Sequence, residues 1–181
     1  MNEPITIIDP KRIDLLIQEF QTFLAELTEI DYCFARCYKT ETENGFIPEV
    51  YIGQNEYQDV FSTDKNSHLF FDLDDNEIVG FVNNSRVLEK TANISIIVSA
   101  NLEKIYPNIL HRADENLINT IEQKINSFYS TYTATWNLNQ VIRKTKNVFQ
   151  NYSYKISDNL NDMQPYFVCA FKFDLIYSKI C

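Results

Sequence analysis

Residues Thr91 to Tyr129 constrain the fold more than any other stretch. Thr91-Ala92-Asn93-Ile94-Ser95-Ile96-Ile97-Val98-Ser99 alternates at period two. Ala92, Ile94, Ile96 and Val98 point one way, and Asn93, Ser95, Ile97 and Ser99 the other, so the strand has one dry face and one mostly wet one. After a connection through Pro107, one long amphipathic segment starts near Leu110. Leu110, Ala113, Leu117, Ile121, Ile125 and Phe128 fall on one stripe, while Arg112, Asp114, Glu115, Glu122 and Lys124 lie mostly off it. A strand feeding a helix that packs back on its own sheet implies an α+β fold. The expected architecture is a single mixed or antiparallel β-sheet with an N-terminal helix and one long helix packed on one face.

The other elements follow from the same periodicities. Asp9 and Pro10 read as the cap and first position of a helix over Pro10 to Leu27, with Ile13, Leu16, Ile17, Phe20, Leu24 and Leu27 on its core stripe. Ile30 to Lys39 reads as a strand. The Asn44-Gly45 turn signal then makes a hairpin of Asp31–Lys39 with Ile47–Ile52. Gln54–Asn66 reads as an irregular excursion. His68 to Leu73 is a strand, Asp74-Asp75-Asn76-Glu77 an acidic turn, and Ile78 to Val82 the returning partner. Thr131–Trp136 is β-prone by composition and loop by position. Leu138–Gln150 is expected as a short helix ending near Phe149, and Asn151–Ile156 as a short strand. Beyond Pro165, Tyr166 to Tyr177 is the longest strand, with Phe167, Cys169, Phe171, Phe173 and Leu175 on one face. No repeat, low-complexity stretch or linker interrupts these elements, so residues 1–181 form one domain.

Composition narrows the chemistry. Three glycines in 181 residues leave no glycine-rich nucleotide loop. A formal charge of −9 weighs against gripping nucleic acid, which needs clustered Lys and Arg. No nucleophile elbow, dinucleotide fingerprint or metalloprotease motif is present, and no catalytic, cofactor-binding or metal residue is assigned. His68 and His111 have no visible acid or nucleophile partner. Asp72, Asp74, Asp75 and Glu77 lack the central glycine of a divalent-cation loop and read as a solvated hairpin turn. Cys33 and Cys37 are four residues apart on a strand, roughly 13 Å, too far for a disulfide or for sharing one zinc. With Cys169 and Cys181 they read as free thiols. Arg143, Lys144 and Lys146 form a local basic cluster, either an exposed helix face or an ionic contact with an acidic neighbour such as another copy. The start of the chain lacks the basic-then-apolar pattern of a signal peptide, and no apolar run is long enough to span a bilayer, so the expected setting is the cytosol or an assembly built there.

The order of these elements resembles that of the tail-terminator (tail-completion) proteins of long-tailed bacteriophages and related contractile devices. The Ile13–Leu27 helix, the Asn93–Ser99 strand running into the Leu110–Phe128 helix, and the close at Met163-Gln164-Pro165-Tyr166-Phe167 leading into Phe171-Lys172-Phe173-Asp174-Leu175 carry the resemblance. Gln54–Asn66 and Thr131–Gln150 fit it least well. The resemblance implies a virion structural subunit in a ring, commonly a hexamer, assembled in the host cytoplasm. Such a ring caps the tail tube and joins it to the head connector. DNA passes through its lumen unbound, which suits an acidic subunit. It implies no reaction and no cofactor. Two other readings compete with it. One is a protein-binding adaptor using an aromatic face of Tyr166, Phe167 and Tyr177. The other is a thiol enzyme around Cys33 or Cys37.

Overall fold

A computed structural model describes residues 9–43, 45–61, 65–82, 87–109, 111–150, 152 and 165–178. In chain order the elements are α1 (Ile13–Leu24), β1 (Tyr32–Thr42), β2 (Gly45–Gly53), β3 (Glu56–Asp59), β4 (Ser67–Phe81) and β5 (Leu88–Asn101). They continue with α2 (Leu102–Ile105), α3 (Ala113–Asn126), β6 (Ala134–Ile142), α4 (Thr145–Val148) and β7 (Tyr166–Ser178). The fold is α+β with one mixed sheet. Its order is β3-β2-β1-β4-β5-β7-β6. Every neighbouring pair is antiparallel except β1 and β4, which run parallel.

Two irregularities set the shape of the sheet. Cys33 pairs with Leu69 and Arg36 with Phe71, so β1 carries one extra residue there, and its ladder to β4 ends at Phe71. The bulge flips the strand: Cys33 faces one core and Cys37 the other. Gln21 of α1 donates its Nε2–H to the Cys33 carbonyl at 2.7 Å, tying helix to strand where the ladder is interrupted. The second irregularity is in β4. Leu73 pairs with Ile94 and Glu77 with Ala92, so Asp74, Asp75 and Asn76 stand against Asn93 alone.

The helices are amphipathic and short. Ile13, Leu16, Ile17, Phe20 and Leu24 of α1 are buried with Leu117, Ile118, Ile121 and Ile125 of α3 in one hydrophobic cluster. The same cluster takes Ala92, Ile94, Ile96 and Val98 of β5 and Cys169, Phe171, Phe173 and Leu175 of β7. Phe20 lies at its centre. Its ring stacks on Phe128 at 4.2 Å and meets Trp136 and Phe173 edge-on at 4.7 and 5.8 Å. Glu19 accepts from Ser130 Oγ and from Thr131 N and Oγ1 at 2.5–2.6 Å, fixing the entry to β6. A second, smaller cluster fills part of the opposite face. Phe34, Phe70, Ile97, Val168 and Ala170 pack there under Val148, Phe149 and Tyr152.

Several sequence expectations are corrected. The first helix starts at Ile13, because Asp9 and Arg12 both have positive φ (55° and 57°) and Arg12, not Asp9, is the cap. The expected long helix is 14 residues, opened by a left-handed Arg112 and closed at Asn126; Leu110 lies outside the described residues. The wet face of β5 is wet only in part, since Ile97 is buried in the second cluster while Asn93 is exposed. The excursion after residue 53 contains β3. Gly53 pairs with Glu56 around Gln54 and Asn55, both at positive φ, which is a two-residue primed turn without the usual glycine inside it. The acidic turn at Asp74 to Glu77 does not reverse the chain. It is the β4 bulge, and the partner of β4 is β5. The helix expected over Leu138–Gln150 is confined to its second half: pairing with β7 holds Leu138 to Ile142 extended as the end of β6, and one helical turn, α4, follows and ends near Phe149 as expected. The strand expected over Asn151–Ile156 falls outside the described residues except for Tyr152.

Truncating the central ring tests this packing. Phe20→Ala should lower the free energy of unfolding by about 3–5 kcal/mol, read as a lower urea midpoint with little change in slope.

Candidate interaction surface

Once β1 has left β4, the sheet continues on that side as four strands. Glu77, Ala92, Leu175 and Trp136 form one row across β4, β5, β7 and β6; Ile78, Thr91, Ile176 and Thr135 form the next; Val79, Lys90, Tyr177 and Ala134 the third. Neighbouring strands alternate in direction throughout. Among the described residues no strand pairs with the outer edge of β4 beyond Phe71, and none with the outer edge of β6. The β4–β5 ribbon extends to the Val82 N–H, which donates to the Val87 carbonyl at 3.1 Å.

This end of the ribbon is apolar and bare. Ile78 is 69% exposed, Val79 56%, Phe81 67%, and Val87 and Leu88 48% each. By alternation Val79, Phe81 and Leu88 lie on one face of the ribbon and Ile78 and Val87 on the other, so both faces of its end carry exposed large apolar side chains, which is uncommon on a surface that meets only water. Glu77 is the carboxylate of this row. It pairs with Lys90 Nζ at 2.6 Å and accepts from the Tyr177 hydroxyl. Its partial burial alone would raise its pKa, but those two hydrogen bonds and the nearby Lys90 and Arg12 charges outweigh it and hold the carboxyl below its ordinary range.

The β4 bulge lies between two clefts. One, of about 590 Å³, is lined by Lys39, Phe46, Asp74, Asp75, Asn76 and Asn93. The other, of about 540 Å³, lies on the α1 side with Arg12, Asp14, Arg36 and Tyr177 in its wall. Asp72 is buried beside the bulge with Tyr152 and Cys37 near it. Burial raises its pKa, with the Lys39 charge and the Tyr152 hydrogen bond opposing. The Tyr152 hydroxyl also lies 3.4 Å from Cys37 Sγ.

The remaining sequence-selected residues do not converge. His68 is buried between Phe34, whose ring is stacked parallel at 6.3 Å, and Phe61, and burial lowers its pKa to about 4. His111 is exposed at the entry to α3. Cys33, Cys37 and Cys169 are free and buried, and burial drives each thiol far up, away from the thiolate that nucleophilic chemistry needs. Among the described residues no three His, Cys, Asp or Glu side chains gather as a metal site. No described helix is long and apolar enough to cross a membrane. Arg143 pairs within its own chain with Glu115, Nε and Nη2 each 3.2 Å from a carboxylate oxygen; Lys144 caps α4 and Lys146 lies within it. The aromatic face expected of Tyr166, Phe167 and Tyr177 is not presented as a unit. Tyr166 is 45% exposed, Phe167 packs against the core and Tyr177 is buried.

The apolar ribbon end was not anticipated as a site. Its sequence signal is Ile78-Val79-Gly80-Phe81-Val82 and Val87-Leu88, apolar at both parities where a half-buried strand would alternate. No protein-family model matches the chain, and no curated protein matches it.

The buried His68 gives a pH signature with a definite sign. The folded protein holds the imidazole neutral down to about pH 4, whereas the unfolded chain protonates it near its ordinary pKa of about 6.5. Stability therefore falls as pH drops through the window between these two values. The urea midpoint should decline across that window, and His68→Phe should flatten the decline. An identical profile in the variant would contradict the assignment.

Proposed function

We propose that this chain is a structural subunit of a bacteriophage virion. In this reading it is a tail-terminator or neck ring protein that caps the tail tube and joins it to the head connector, with no reaction of its own. The observation that carries the reading is the bare apolar end of the β4–β5 ribbon, a surface suited to contact with another protein. The element order that resembles the family supports it, with α1 and α3 contributing to one core cluster against the sheet. The charge of −9 supports it as well. A ring of acidic subunits lets a polyanion pass without trapping it, whereas clustered Lys and Arg would bind phosphates and release counterions.

Assembly tests the proposal. Purified protein viewed by negative-stain electron microscopy, with mass from light scattering, should give closed rings of about six copies. Added to tail-tube protein, these rings should end tube growth. A strictly monomeric species at high concentration that leaves tube length unchanged would overturn the reading.

A further inference from the structure

Among the described residues the two edges of the four-stranded part of the sheet are unpaired, and they differ from the guarded edge at β3. β3, at the far end of the other wing, is four residues long and carries Glu56 and Asp59, a short charged edge of the kind that discourages pairing. β6 reads Ala-Thr-Trp-Asn-Leu-Asn-Gln-Val-Ile, with no charged residue and no proline. On β4, residues 77–81 include one charge, Glu77, already taken up by Lys90 and Tyr177 within the chain. Neither edge would bring an unpaired charge into a seam. The bulge after Leu138 limits the regular part of β6 to residues 134–138, matching the length of 77–81 on β4.

Strand direction decides how the edges can be covered. β4, β5, β7 and β6 alternate, so β4 and β6 run opposite ways. A second copy placed with its β4 beside this β6 continues the antiparallel alternation without a break. Two-fold pairing of β4 with β4 would leave β6 open, and pairing of β6 with β6 would leave the apolar β4 end open. With a single kind of contact, only a head-to-tail one covers both.

We propose that the outer edge of β6, residues 134–138, in one copy of this chain pairs with the outer edge of β4, residues 77–81, in the next. The seam is heterologous, so it closes into a ring or runs on as a filament according to the rotation between copies. It satisfies main-chain groups on both edges and covers Ile78 and Val79. The inference rests on the ring reading above and names the contact that would build the ring.

Two edge-blocked chains test it, each with two lysines on exposed positions. Ile78→Lys with Gly80→Lys blocks β4; a side chain at Gly80 meets nothing within 4 Å. Thr135→Lys with Asn137→Lys blocks β6. Unchanged circular dichroism and melting establish folding, and a pair that fails this check is replaced by a single lysine at Val79 or Asn139. By native mass spectrometry the parent chain should assemble beyond a dimer and each blocked chain should be monomeric. An equimolar mixture should form a one-to-one dimer and stop, because one good edge of each kind remains. Blocked chains that still assemble like a ring-forming parent, or a mixture that stays monomeric beside such a parent, would overturn the seam and leave the ring reading standing. A capped dimer from a parent that forms only open filaments would keep the seam and overturn the ring. A monomeric parent would overturn both.

Discussion

The parting of β1 from β4 after Phe71 is the constraint on which the rest of the structure depends. One extra residue in β1 turns Cys37 away from the core that holds Cys33 and ends the shared ladder. β1 continues with β2 and β4 continues with β5, so one sheet becomes two wings. The clefts beside the bulge lie where the wings separate, and the open edge of β4 is the backbone that β1 no longer covers. A bulge is a small local defect, but at this position it decides which main-chain groups no other described strand pairs with.

The two cores hold the wings at that separation. On one side the Phe20 ring joins Phe128, Trp136 and Phe173, linking α1, the end of α3, β6 and β7 through aromatic contacts. Glu19 and Gln21, its neighbours on α1, make polar ties to residues 130–131 and to the Cys33 carbonyl. α1 therefore spans from the strand that departs to the strand that closes the sheet. On the other side Phe34, Phe70 and Ile97 pack beneath Tyr152 and Phe149, and the acid of Asp72 is enclosed with them. The apolar β4–β5 end projects beyond both cores. Burying such side chains is worth about 1.5–3 kcal/mol each, which folding of this chain alone leaves largely ungained at the ribbon end.

Elements carried by strict periodicity were legible in the sequence. The core stripes of α1 and α3, the β1–β2 hairpin, β5 and β7 and their inward faces follow from alternation or from three-and-four spacing. What was missed depends on pairing between distant segments. β4 contains four polar residues in succession, which resemble a turn, yet twelve residue pairs with β5 carry the strand through them. β6 has helix-compatible spacing and a basic tail, and only β7, some thirty residues later in the sequence, makes it a strand. The primed turn at Gln54-Asn55 lacks the glycine that would have signalled it. The candidate surface was missed for a related reason. Ile78 to Val82 read as a strand returning beside His68 to Leu73, and only the ladder shows that this segment continues β4 and that β1 stops short of it.

Amide hydrogen exchange followed across protein concentration tests the central claim most directly, because it reads the two edges without altering them. On assembly, outward-facing amides of residues 77–81 and 134–138 should become protected together, while β3 stays unchanged. Exchange at both edges that is independent of concentration, or protection that arises at β3 in their place, would contradict the account.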